Sequence, residues 1–136
     1  MVRLLALLFL FFAASMAIAE PGRERAYTIV TGQVLRDALI GKLVQTIPCY
    51  SSDQCTVVFG RDGRTYHRHG DRVPWARGSY AIHADQVCAV VPPGPESCHL
   101  LFRSGSGGFA MVRADDPDLR PEVVRITDAE GIPLPN

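Results

Sequence analysis

Four cysteines are the residues of this sequence with the clearest chemistry: Cys49, Cys55, Cys88 and Cys98. The segments between them contain five, 32 and nine residues, and they lack the C-x-x-C pairs of structural zinc sites and of redox-active dithiols. In an oxidising compartment an even number of cysteines predicts disulfides, and four cysteines allow three connectivities. We favour Cys49–Cys55 with Cys88–Cys98, because each bond then closes a short loop between neighbouring predicted strands.

Two histidines form the second chemical candidate. His67 and His69 are two residues apart on a predicted strand, so both rings project from one face. Asp71 follows closely, and His83 or His99 could lie on an adjacent strand. Imidazole and carboxylate groups are ligands for Zn²⁺ and Cu²⁺. The pattern therefore offers a metal site at His67 and His69.

An exposed polar strand face explains the same pattern without a metal. Thr65, His67 and His69 alternate with Tyr66. If Tyr66 points into the core, the three polar side chains point to solvent. We favour this interpretation of the strand over the metal site.

Other constellations give no catalytic site. Gly105-Ser106-Gly107 lacks the spacing of a nucleophile elbow, and it is typical of a hairpin tip. The cysteines are all assigned to disulfides, which leaves no thiol nucleophile. We therefore expect neither an enzyme nor a cofactor.

Two aromatic residues are candidate binding residues, Trp75 and Tyr80. Trp75 follows Pro74 in a predicted loop, where its ring would serve either as an exposed recognition element or as a plug for one end of a barrel. We favour the plug, because large aromatic side chains are mostly used for burial.

The start of the chain predicts a secretory signal peptide over residues 1–19. Arg3 precedes the apolar run 4–14, and Ala17 and Ala19 form an A-x-A cleavage site. The run is eleven residues long, whereas a spanning helix needs about 20, so an uncleaved anchor is the less favoured alternative. Cleavage after Ala19 predicts a periplasmic or secreted chain without a membrane span.

The rest of the chain has the size of one domain. Removal of 19 from 136 residues leaves 117, which we divide into a lead-in over 20–30 and a single disulfide-stapled, β-rich domain over 31–136. Removal of Arg3 leaves 13 basic and 14 acidic residues, a net charge near −1. Basic residues form no cluster with aromatic ones, so nucleic acid is not an expected partner.

A short helix is predicted after the lead-in. Thr31 can serve as its N-cap, and Gly41 is placed to end it. Apolar residues recur on one side of this segment with helical spacing. They are Val34, Leu35, Ala38 and Leu39.

Short β-runs separated by turn residues fill the remainder, and Asp62-Gly63 is a strong hairpin signal. The runs cover 43–47, 56–59, 65–69, 79–83, 86–91, 98–103, 109–113 and 122–127. We predict an α+β, mostly β fold: the helix packs on an antiparallel meander sheet or small barrel of six to eight strands. On each strand, alternate apolar side chains are expected to point into the core. They are Val57/Phe59, Tyr80/Ile82, Val87/Ala89/Val91, Leu100/Phe102 and Val124/Ile126.

Several of these motifs occur together in a known type of chain. They are Thr31-Gly32-x-x-Leu35, the hairpin at Asp62-Gly63, Gly78-Ser79-Tyr80, and the pair Cys88 and Cys98. The sequence resembles small secreted domains of unknown function from proteobacteria, in which a T-G-x-x-L helix precedes a sheet with a G-x-W element and a C…C hairpin. Here Tyr80 stands where those domains more often have tryptophan. The resemblance covers about residues 31–113 and implies no activity.

The sequence thus predicts a non-enzymatic binding or interaction module of the cell envelope, with a protein or a small ligand as its partner. A metal-binding protein using His67 and His69 is the alternative. An inhibitor of a hydrolase is a further alternative, suggested by the small disulfide-stapled design.

Overall fold

The computed structural model describes residues 26–47, 55–70, 74–116, 118 and 120–136. These residues form one helix and nine strands. Their bounds are β1 Tyr27–Ile29, α1 Gly32–Leu39, β2 Lys42–Ile47, β3 Cys55–Phe59, β4 Arg64–His69, β5 Ala76–His83, β6 Gln86–Val90, β7 Glu96–Ser104, β8 Phe109–Arg113 and β9 Glu122–Asp128.

Strands β2 to β9 form a closed barrel. Each pairs antiparallel with the next in the chain, and β9 returns to pair with β2 from Lys42↔Asp128 to Gln45↔Arg125. Closure leaves no free edge around the eight-stranded ring. The predicted α+β, mostly β fold is confirmed, in its barrel form.

Strand β1 is the ninth strand, and it lies in the segment predicted as a lead-in. It pairs with the end of β7, from Tyr27↔Ser104 to Ile29↔Phe102. One edge of β7 pairs with β8. The opposite edge pairs with β6 in the first half of β7 and with β1 in the last part of β7.

The helix α1 closes one end of the barrel. Leu35 and Leu39 are fully buried and one helical turn apart, and Ala38, Tyr80 and Ile82 pack against the same core. Val34, by contrast, is 53% exposed, so the buried stripe is narrower than the sequence pattern suggested.

Both ends of α1 lie at the predicted residues. Thr31 is the N-cap residue, although its side chain makes no capping hydrogen bond. Gly41 follows the helix with φ +75°, a left-handed conformation that favours glycine. Its N–H donates to the Phe59 carbonyl at 2.7 Å, which joins the end of the helix to β3.

One inward-facing assignment was wrong. Leu100 and Phe102 were expected in the core, but Leu101 between them is fully buried and belongs to it. Three consecutive apolar residues do not reveal which of them faces inward. Phe102 faces away from the interior, and Tyr27 of β1 packs edge-on against it, with ring centroids 6.4 Å apart.

Within the described residues, no helix has the length and apolar character that crossing a membrane requires.

Candidate binding cavity and cysteine–histidine cluster

A cavity of about 250 Å³ lies inside the barrel, toward the end away from α1. The cavity extends along β3 from Cys55, at the end away from the helix, to Phe59, whose carbonyl accepts a hydrogen bond from the Gly41 N–H at the end of the helix. The wall is mostly apolar. Its principal apolar side chains are Ile47, Val57, Val87, Ala89, Val91 and Met111.

Polar side chains enter the cavity mainly from β4. Thr65, His67 and His69 alternate along this strand and all line the cavity, with Ser97 and His99 of β7 on another part of the wall. The preferred interpretation of β4 as a polar face toward solvent was therefore wrong. Thr65, His67 and His69 form its inward face.

The reason is that β4 is buried on both faces. Tyr66 is only 9% exposed although it faces away from the cavity, and it pairs with Val58, which is 2% exposed. Alternation alone shows that Tyr66 and the histidines lie on opposite faces. It does not show which face is inside.

Thr65 is the most deeply placed polar residue of the cavity wall. It is fully buried, and its Oγ1 has no hydrogen-bond partner among the described residues. Most buried polar atoms in folded proteins have a partner, because an unpaired one loses its hydration without compensation. Thr65 Oγ1 is thus a free hydrogen-bonding group in a mostly apolar wall.

Close backbone packing beside Thr65 requires a glycine. Gly78 lies directly across from it on β5. A Cβ at Gly78 would lie 2.7 Å from Thr65 Oγ1 and 2.1 Å from the Val90 carbonyl oxygen. The inner wall of the barrel at this point therefore has no space for a side chain.

The rings of the two histidines contact one another in the cavity wall. The ring centroids of His67 and His69 are 4.7 Å apart, with the planes nearly perpendicular. Burial, and to a smaller extent the neighbouring His69, lowers the pKa of His67 below its ordinary value. His67 is consequently a neutral imidazole at neutral pH, able both to donate and to accept a hydrogen bond.

Cys55 completes this cluster. It lies directly opposite His69 in the β3–β4 pair, and its Sγ is 3.2 Å from His69 Nδ1. One potential ligand atom from each of Cys55, His67 and His69 lies within 4.8 Å of the other two. Cys55 is itself disulfide-bonded, so its sulfur is not a thiolate in this state.

The structure brings together only some of the predicted metal ligands. His99 lines the same cavity as His67 and His69. His83 is at the far end of β5: His67 pairs with Ala76, and His83 is seven residues further along that strand, roughly 23 Å away at strand spacing. Asp71 lies outside the described residues.

Sequence reasoning missed Cys55 as a neighbour of the histidines, because the residue was assigned only to a disulfide. A usable signal was present. Asp62-Gly63 predicts a hairpin and so makes the two strands neighbours; counting outward from a two-residue turn pairs Cys55 with Gly70, one residue beyond His69, which is its partner in the structure.

The disulfide between Cys88 and Cys98 is confirmed. The two residues face each other across β6 and β7, with their Sγ atoms bonded. Glu96 lies near both sulfurs, but a disulfide has no thiolate to offer a metal. Of the second predicted disulfide, Cys55 is bonded and Cys49 lies outside the described residues.

The two candidate aromatic residues lie elsewhere. Tyr80 belongs to the helix-closed end, where its hydroxyl donates to the Gly60 carbonyl at 2.5 Å and its ring meets Phe59 edge-on. Burial, followed by the charge of Asp62, raises the pKa of this hydroxyl, against smaller opposing effects of nearby arginines.

Trp75 packs on the outer side of the barrel wall. It is half-buried, and the Arg68 guanidinium lies 4.3 Å from its ring centroid. Arg68 alternates with the cavity-lining histidines and so projects from the outer face of β4. Trp75 therefore contacts the outside of the wall rather than filling the barrel interior, where the plug was expected.

Comparison of the chain with protein-family models, with curated proteins and with solved structures finds no match in any of the three. The resemblance to small secreted domains of proteobacteria stays a prediction.

Proposed function

We propose that this protein is a non-enzymatic binding module whose barrel interior takes up one small, largely apolar molecule. The observation that carries the proposal is the cavity at the end away from α1, with its mostly apolar wall. Eight-stranded barrels are just wide enough to hold a small ligand, and ligand sites are mostly apolar with a few placed polar groups.

The volume of the cavity sets the size of the ligand. An engineered apolar cavity of about 150 Å³ accommodates benzene. By the same packing, a cavity of about 250 Å³ suits a molecule of about ten non-hydrogen atoms. A two-ring aromatic compound or a medium-length alkyl chain has this size.

Polar groups of the wall favour a ligand with one hydrogen-bonding group. Thr65 Oγ1 is buried and unpaired among the described residues, and the neutral ring of His67 projects into the same space. A hydroxyl group on the ligand could donate to one of them and accept from the other. A phenol or an alcohol therefore fits this wall better than a hydrocarbon does.

The proposed location is the periplasm or the outside of the cell. The Cys88–Cys98 disulfide supports it, because disulfides persist in oxidising compartments.

Calorimetric titration of the mature protein with 1-naphthol and with 1-decanol tests the proposal. Ligands of this size support a Kd on the order of 100 µM. Ala89→Phe should abolish binding or weaken it about tenfold or more, because Ala89 lines the cavity and the added ring occupies the space.

Ala81→Phe is the matched control. Ala81 lies on the neighbouring strand β5, is exposed, and pairs with Cys88 in the same hairpin as Ala89. This variant should bind as the wild type does. A wild-type protein that binds neither probe, or an Ala89→Phe variant that binds as tightly, would overturn the proposal.

A further inference from the structure

We infer that Cys55, His67 and His69 form a transition-metal site that is closed while Cys55 is disulfide-bonded and opens when that bond is reduced. This inference goes beyond ligand binding in the cavity. Its basis is the position of one sulfur and two imidazoles at the same end of the barrel.

The ligand geometry fits a tetrahedral metal ion. Zn²⁺ binds thiolate sulfur at about 2.3 Å and imidazole nitrogen at about 2.05 Å. In a tetrahedral site these lengths place sulfur and nitrogen about 3.5 Å apart. Cys55 Sγ and His69 Nδ1 are 3.2 Å apart, and a ligand atom of His67 lies within 4.8 Å of both. Small side-chain rotations therefore bring all three onto one ion.

The backbone already holds these residues in register. Cys55 and His69 are directly opposite on adjacent strands, and His67 is two residues from His69 on the same face. Cys55 is 1% exposed, so its sulfur has little freedom to turn elsewhere. The fourth position of the ion would face the cavity, where water or a ligand can occupy it.

The oxidation state of Cys55 controls the site. A disulfide sulfur carries no charge and is a weak ligand, whereas a thiolate is the ligand that Zn²⁺ and Cu⁺ prefer. In the oxidised protein two imidazoles alone remain, which is fewer than the three protein ligands of a typical zinc site.

The chemistry requires a reductant, which we assign to the class of dithiols. The first dithiol sulfur attacks the protein disulfide, which forms a mixed disulfide and releases one protein cysteine as a thiol. The second dithiol sulfur then attacks the mixed disulfide and releases the other protein cysteine. The dithiol becomes a cyclic disulfide, while two electrons and two protons pass to the two protein cysteines. The metal ion then displaces the proton of the Cys55 thiol and binds the unprotonated nitrogens of the two imidazoles.

The Cys49→Ser variant tests the site without added reductant. It removes the predicted partner of Cys55, leaves Cys55 as a free thiol, and retains the Cys88–Cys98 disulfide. Titration with Co²⁺ should produce a sulfur-to-cobalt charge-transfer band in this variant and none in the oxidised wild type. Competition with a chromophoric chelator should give a Zn²⁺ affinity roughly 100-fold above that of the wild type.

Three further variants assign the ligands. In the Cys49→Ser background, Cys55→Ser should remove the charge-transfer band, and His67→Ala or His69→Ala should lower the Zn²⁺ affinity at least about tenfold. His83→Ala is the matched histidine control, because His83 lies at the other end of β5; it should leave the affinity unchanged.

Absence of the charge-transfer band in a folded Cys49→Ser protein would overturn the inference. A Zn²⁺ affinity that neither His67→Ala nor His69→Ala changes would overturn it as well. If Cys49→Ser does not fold, a Cys88→Ser/Cys98→Ser variant that is folded oxidised and then reduced offers the same readout, since Cys49 and Cys55 are then its only thiols. A folded, reduced protein without the band would again contradict the site. Binding of 1-naphthol to the oxidised protein is independent of these outcomes.

Discussion

The region packed under α1 and the cavity treat their hydroxyl groups in opposite ways. Under α1, the half-buried Tyr80 hydroxyl donates to the Gly60 carbonyl. In the cavity, Thr65 Oγ1 is buried in the wall and has no partner among the described residues, although Thr65 lies opposite Phe59, at the level of the barrel where the helix ends. One region has a satisfied polar group, and the other has the unpaired group of a candidate binding site.

Packing differs in the same way. Leu35 and Leu39 of α1 are fully buried against the barrel core, whereas the barrel interior lined by β3, β4 and β6 contains a cavity of about 250 Å³. Close packing stabilises a fold, and a cavity reduces that stabilisation. The comparison suggests that the helix-closed end provides the stability which the cavity end lacks.

The largest expected effect is at the helix-closed end. Leu35→Ala should lower the free energy of unfolding by about 3 kcal/mol, because it leaves a void under α1. Val34→Ala on the same helix is the control, since Val34 is 53% exposed and surface changes stay within about 0.5 kcal/mol. Urea denaturation measures both. Equal effects of the two variants would show that α1 does not close the barrel.

Removal of the hydroxyl of Tyr80, under α1, and of the hydroxyl of Thr65, in the cavity wall, should change stability in opposite directions. Tyr80→Phe loses a hydrogen bond and should cost about 1 kcal/mol. Thr65→Val replaces an unpaired buried hydroxyl with a methyl group and should gain about 1 kcal/mol. The same denaturation experiment measures the pair.

Ligand affinity sharpens this second comparison. Thr65→Val should weaken 1-naphthol binding, whereas Tyr80→Phe should leave it unchanged, because only Thr65 lines the cavity. If Thr65→Val destabilises the ligand-free protein, the hydroxyl has a partner and the distinction between the cavity and the region under α1 fails.

The smallest expected effect is a pH dependence at the cavity end. Because the folded-state pKa of His67 is lowered, the unfolded chain takes up a proton at a higher pH than the folded one. Stability should therefore be insensitive to His67 above the unfolded pKa of about 6.5, and fall as the pH drops from there toward the folded pKa. Melting temperatures between about pH 7.5 and pH 5.5 test this, and His67→Gln should reduce the loss. If His67→Gln loses as much stability at low pH as the wild type does, His67 is not the source of the pH dependence.

Local signals predicted the helix and the hairpins because the residues that cause them are adjacent in sequence. Thr31 and Gly41 bound α1 as expected, and Asp62-Gly63 forms the β3–β4 turn, where Asp62 Oδ1 accepts from the Arg64 N–H at 3.1 Å. Barrel closure pairs β2 with β9, segments about 80 residues apart in the chain. Because no local signal links such distant segments, the sequence predicted the barrel only as an alternative to a meander sheet.

The direction of individual strand faces was harder to predict. In β7 the inward face contains Ser97 and His99 as well as Leu101. Because two of these residues are polar, the hydrophobic pattern did not show which alternate residues of β7 point inward. In β4 the inward face is polar because it lines a cavity rather than a close-packed core. The same feature that makes this face a candidate site thus made it resemble an exposed surface.

The central claim is that ligand binds at the cavity end and not elsewhere, and NMR of the isotope-labelled mature protein tests it most directly. Addition of 1-naphthol should shift the amide signals of His67, Ala89 and Val91 while those of Leu35 and Leu39 stay in place. A separate, shallower groove is lined by the exposed side chains of Ile29 and Val34. Shifts confined to that groove, or the absence of any shift, would contradict the claim.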